Sequence, residues 1–146
     1  MTPTVFVDAN IIIAGSASRK GASRVVLGQA EYGMIQLVVT RQVLVETERN
    51  IRLKFPKILP ALSELLMYIN LQILDDPEPH QYERWLSIIE AKDAPILEAA
   101  VQFAPDYLLT LNSKDFTPEV ARATGLVIQS PGEFVSNIRH IVSQNL

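Results

Sequence analysis

No cysteine occurs among the 146 residues. A disulfide framework and a thiolate metal centre are therefore excluded, and the chain is expected in the cytoplasm. No apolar run approaches the roughly 18 residues that span a bilayer, so no membrane association is expected. The opening MTPTVFVDAN has no basic segment ahead of an apolar one, which predicts no secretory leader. The two histidines, His80 and His140, fall at no zinc-binding spacing. Repeats, low-complexity tracts and linkers are absent too, so residues 1–146 read as one domain whose last few residues fray.

Charge of either sign is modest. The net value of -3 argues against a protein that coats nucleic acid. Its distribution is uneven. Residues 1–60 carry eight Lys or Arg against four acids, and residues 61–146 carry five against twelve. A basic rim beside an acidic pocket would give that division, and so would scatter over a solvated surface.

What is present alternates. Apolar runs at 4–8, 35–40, 71–76, 106–111 and 126–130 read as five strands. Between them, helical periodicity covers 21–33, 40–55, 57–69, 81–91, 93–104, 117–125 and 131–142. Thr40 and Thr117 are placed as caps, Asp93 as an N-cap ahead of Pro95, and Gly125 just past a helix end. Pro56 ends a helix and Pro60 opens one. Continuous apolar strands alternating with helices predict an α/β fold, a three-layer α/β/α sandwich around a parallel sheet of about five strands.

Asp8 and Asn10 interrupt two apolar stretches in TVFVDANIIIAG. A buried carboxylate is costly unless hydrogen-bonded, paired or metal-bound, so Asp8 is either a cap or a site residue. In open α/β sheets the site lies beyond the carboxyl ends of the strands. Asp8 follows the first strand. Thr110, Asn112 and Asp115 follow the fourth in LLTLNSKDF, Asp93 opens the helix leading into that strand, and Glu46 lies on the helix after the second. Four such acids, gathered at one sheet edge, need a cation, and oxygen-only ligands select Mg²⁺ or Mn²⁺ rather than zinc.

The blocks VFVDANIIIAG, VLVETERNIRLKF, KDAPILEAA and LLTLNSKDF, in that order, resemble the PIN domain, a family of metal-dependent ribonucleases that includes the VapC-type toxins. The resemblance runs over residues 4–135. It implies cleavage of RNA phosphodiesters to 5′-phosphate and 3′-hydroxyl products. It implies Asp8, Glu46, Asp93 and Asp115 as catalytic acids, with Asp8, Asp93 and Asp115 on the metal. Glu46 fits the helix position better than Glu48. Asn10, Thr110 and Asn112 join the ion-binding loops, with the Thr110 hydroxyl bonding Asp8. Many members carry an Asp where this chain has Asn112, so Asp115 is expected to supply that acid. A homodimer and a small antitoxin protein with a basic side chain for the acidic pocket are the implied partners.

Each residue has a plainer reading. Asp8 and Asp93 are good caps, Glu46 suits a solvated face, and Asp115 suits an Asx-turn. Arg19, Lys20 and Arg24 either hold RNA phosphate or nothing. Tyr82 and Trp85 are read as packing, and the Met and Leu of ELLMYI as core or interface. Two other functions compete. Asn112 in place of an acid suits a degenerate PIN-fold module that binds RNA or protein without cutting. A phosphoacceptor at Asp8, of the haloacid-dehalogenase or receiver type, lacks a second Asp at position 10 and a well-placed Lys.

Overall fold

The structure, a computed structural model, describes residues 2–145, with side chains through residue 139. The fraying expected of the chain's end, and the side chain of His140, fall outside the described residues.

Five parallel strands form one sheet: β1 (Thr4–Val7), β2 (Gln36–Thr40), β3 (Gln72–Leu74), β4 (Tyr107–Leu109) and β5 (Ile128–Gln129), in the order β3-β2-β1-β4-β5. Among the described residues eight α-helices flank it: α1 (Ala9–Ala17), α2 (Ala22–Glu31), α3 (Arg41–Lys54), α4 (Leu59–Tyr68), α5 (Pro79–Tyr82), α6 (Ala94–Phe103), α7 (Pro118–Thr124) and α8 (Pro131–Asn145). The three-layer sandwich is the expected one. Val5, Phe6 and Val7 of the central strand are fully buried, as are Leu37, Val38 and Val39 of β2 and Leu108 and Leu109 of β4. Both faces of the inner strands are thus covered, which is why the central residues of these strands are apolar at successive positions. The edge strand β3 differs, since Gln72 and Ile73 are exposed.

Strand order reverses at β1, whose neighbours are β2 on one side and β4 on the other. Their carboxyl ends therefore open a crevice at a topological switch point.

The caps read from sequence hold. Thr40 Oγ1 accepts from the Val43 amide at 3.2 Å, and Thr117 Oγ1 from Val120 at 3.3 Å. Gly125 takes φ +76°, the left-handed turn that glycine adopts without a Cβ clash. Two elements differ from expectation. Residues 9–17, given no helix from sequence, form α1 directly after β1. They are apolar nearly all round, so no helical period shows. In α1, Gly15 lets α2 approach: a Cβ there would meet Leu27 Cδ1 at 2.6 Å.

The helix expected over 81–91 is instead α5, a 3₁₀ turn at Glu83–Trp85 and further turns. The cause is Glu98 on α6, which is 3 % exposed. It accepts from Arg84 Nε at 3.0 Å, Trp85 Nε1 at 2.8 Å and Gln102 Nε2 at 2.8 Å. Arg84 also lies over the Trp85 ring at 4.5 Å. Trp85 is a packing residue, as read from sequence, and Tyr82 packs against the core beside it. Burial alone would raise the Glu98 pKa, but the bonds from Gln102, Trp85 and Arg84 outweigh it and hold the carboxylate below its ordinary value. Glu98→Ala strips these donors of their acceptor and is expected to cost about 2–3 kcal/mol in urea unfolding, whereas a change under about 0.5 kcal/mol would mean that the cluster is not anchoring this segment.

Candidate functional site

Asp8 follows β1 without an intervening loop. Its Oδ1 accepts from the Ala9 amide at 2.8 Å, which makes it the N-cap of α1. Its Oδ2 accepts from the Thr110 hydroxyl at 2.9 Å and the Asn10 amide at 3.3 Å. Cap and site membership are therefore compatible in this residue. Asn10 Oδ1 accepts from the Leu111 amide at 3.0 Å, tying the start of α1 to the loop after β4. The Asp8 amide donates to the Leu109 carbonyl at 3.1 Å and closes the same junction from the backbone.

The relay continues along that loop. Thr110 Oγ1 accepts from the Asn112 amide at 3.0 Å. Asn112 Nδ2 donates to Asp115 Oδ2 at 2.9 Å, and its Oδ1 accepts from the Asp115 amide at 3.3 Å. Asn112 thus orients Asp115 at both ends.

Asp93 stands at the N-cap position of α6, but its side chain makes no capping bond, contrary to expectation. Its backbone is already helical (φ −97°, ψ −17°) rather than extended, and Pro95 has no amide to offer. The carboxylate is freed for something else. Asp93 is 6 % exposed, and its Oδ2 is buried with no hydrogen-bond partner. An orphaned buried carboxylate oxygen is expensive.

Asp93 has two acidic neighbours. Ligand oxygens of Asp93, Asp115 and Glu90 all lie within 4.8 Å of one another. Glu90 was not anticipated from sequence, although E-x-x-D across the turn into α6 is a readable spacing. Among the described residues this is the only group of three potential metal-ligating side chains, and it contains no histidine. Asp8 lies outside that trio, yet its charge acts on both Asp93 and Glu46. Glu46 is half-buried on α3, while Glu48 is exposed and paired with Arg52 at 2.6 Å.

Burial pushes the Asp93 carboxyl up to about 7, helped by a proton shared with Asp115 and by the charge of Asp8. Asp115 moves the opposite way, held below its ordinary value by hydrogen bonds from Asn112 and Asp93. Asp8 is raised by burial, which outweighs the bonds from Thr110 and Ala9. Glu46 is raised by burial and then by Asp8. One carboxyl kept protonated against another is how a site of like charges survives without a cation. The donor set is oxygen only, which fits a hard divalent ion.

The charge of one base, Lys92, acts on Asp8, Glu46, Asp93 and Asp115 alike, while Arg49 acts on Glu46 and Lys114 on Asp115. Lys92 was not singled out from sequence. Arg19 and Arg24 line a groove of about 330 Å³ whose walls also carry Glu31 and Glu64, and Arg24 pairs with Glu31 at 3.0 Å. Charge there is mixed, not a basic rim. A larger cavity of about 860 Å³, lined by Pro3, Tyr107 and Phe134, opens where β1 and β4 begin, the end of the sheet opposite the acids.

Residues 4–114 match the family model described as PIN domain. The chain belongs to the PIN domain family. Asp8, Glu46, Glu90, Asp93 and Thr110 fall within the matched span, and Asp115 stands one residue beyond it. Solved structures share the PIN fold at low identity. VapBC2 from Rickettsia felis, bound to a promoter DNA fragment, superposes with a TM-score of 0.64 at 17% identity, covering 87% of this chain and 98% of that one. DNA-bound VapBC from Salmonella typhimurium gives 0.63 at 15%, covering 90% and 99%. VapC20 from Mycobacterium tuberculosis, described as a sarcin-ricin loop cleaving toxin, gives 0.54 at 12%, covering 82% and 94%. No curated protein sequence matches the chain.

Proposed function

We propose that this PIN domain is a Mg²⁺- or Mn²⁺-dependent endoribonuclease, with Asp8, Asp93 and Asp115 holding the ion. The observation that carries this reading is the buried Asp93 carboxylate, one oxygen of which has no hydrogen-bond partner, grouped with Asp115 and Glu90. When bound, the ion supplies charge against the scissile phosphate and a lowered pKa for the attacking water. Glu46, raised by burial and by the Asp8 charge, would complete the acidic pocket or position the attacking water. Thr110 and Asn10 hold Asp8 in one orientation, and Asn112 does the same for Asp115. Lys92, whose charge acts on all four acids, is the base for the phosphate backbone.

The double clamp of Asn112 on Asp115 favours this reading over a degenerate binding module, since the missing acid has a positioned substitute. VapC-type relatives support a toxin role in the cytoplasm, with a small antitoxin placing a basic side chain among the acids. A homodimer is the assembly that accompanies it. The deciding experiment is incubation of a mixed single-stranded and structured RNA pool with Mn²⁺, with Mg²⁺ and with EDTA. Cleavage is expected with either metal and none with EDTA. Cleavage that persists in EDTA, or its absence with both metals, would overturn the proposal.

A further inference from the structure

Glu90 sits three positions before Asp93, at the turn that opens α6. Its carbonyl accepts from the amides of Asp93 and Ala94 at 3.0 and 3.1 Å, which fixes that turn. Its side chain is exposed and free to point into solvent. Instead its carboxylate lies within 4.8 Å of those of Asp93 and Asp115. Carboxylates this close repel one another when all are ionised, which a cation between them relieves. A second observation points the same way: the 6 %-exposed Asp93 has a buried oxygen with no partner, and that carboxylate belongs to the same trio.

The spacing suits a hard cation. Oxygens on opposite sides of Mg²⁺ stand about 4.2 Å apart, and those around Ca²⁺ about 4.8 Å. We infer that Glu90 is a further direct protein ligand of the divalent cation, beside Asp8, Asp93 and Asp115. The inference deepens the metal-dependent reading above and rests on it.

The test is a Mn²⁺ titration of the metal-free full chain, followed by electron paramagnetic resonance, for wild type, Glu90→Gln and Glu83→Gln. Glu83 is an exposed acid of the same segment, outside the trio. Glu90→Gln is expected to weaken Mn²⁺ binding by roughly ten- to a hundredfold, and Glu83→Gln by less than about twofold. Because Glu90 is exposed, its substitution leaves the fold intact, which a melting curve checks. Mn²⁺ affinity in Glu90→Gln equal to wild type overturns the inference, and so does an equal loss in Glu83→Gln, which would mark a long-range charge effect. A wild type that binds no Mn²⁺ overturns it together with the metal reading. Unchanged binding in Glu90→Gln alongside metal-dependent RNA cleavage would remove Glu90 and leave the nuclease standing. Lost binding in Glu90→Gln, with no cleavage by wild type, would keep Glu90 and remove the nuclease.

Discussion

Asp8→Asn abolishes RNA cleavage, a loss of about three orders of magnitude or more, while the domain stays folded. Removing the charge forfeits several kcal/mol of electrostatic support for the transition state, and each ~1.4 kcal/mol is a factor of ten in rate. The fold survives because asparagine caps a helix as well as aspartate does, so the Ala9 amide keeps its acceptor. The new amide also relieves a buried charge whose pKa is already raised by burial. Against that, the Thr110 hydroxyl and the Asn10 amide, which both donate to Oδ2, lose that acceptor, at about 1 kcal/mol each. The net shift in melting temperature is within about 3 °C. Asp8→Ala behaves differently. It loses the cap as well as the acceptor of the Thr110 hydroxyl and the Asn10 amide, at a cost of about 2–4 kcal/mol. Initial cleavage rates and thermal melts on the two variants separate the two roles of one side chain. An Asp8→Asn protein that cuts at the wild-type rate would place the chemistry elsewhere.

Legibility from sequence followed the range of the forces involved. Thr40, Thr117 and the Pro118–Gly125 bracket act on residues three or four positions away, so their elements read correctly. Asp8 stood out because a carboxylate between apolar runs contradicts its surroundings. The 81–91 stretch misled because Arg84 and Trp85 answer to Glu98 on another helix. Glu90 was passed over for the same reason: its significance lies in Asp115, which only the fold brings near. Asp93 shows the converse error. Its position before Pro95 spells a cap, but a cap needs an extended backbone, and the turn from Glu90 gives it a helical one. The Asn112–Asp115 clamp, spanning three positions, was within reach of local reasoning.

The metal-free protein is less stable at about pH 8 than at about pH 5, and Mg²⁺ reverses the order. The sign follows from the raised acids. Asp93 has a folded-state pKa of about 7 against an ordinary 3.8, and Asp8 and Glu46 are also raised. Between roughly pH 4 and pH 7 the native state holds protons that the unfolded chain has released, so stability falls as pH rises through this window. Asp115 and Glu98 are lowered, and their contribution is present above their ordinary values and lost only as pH falls through the lower folded-state ones. The two sets act in separate windows, which puts the metal-free optimum in mild acid. The fall is on the order of a few kcal/mol, or about 5–10 °C in melting temperature. Mg²⁺ must displace the proton on Asp93, so its stabilisation, RT ln(1 + [L]/Kd), grows as pH rises. Melting curves at the two pH values, with and without Mg²⁺, check both halves. A flat metal-free profile would mean that Asp93 is not held protonated by its burial against Asp115. Equal stabilisation by Mg²⁺ at both pH values would mean that the ion binds without Asp93, and the acidic trio would lose its reason to exist.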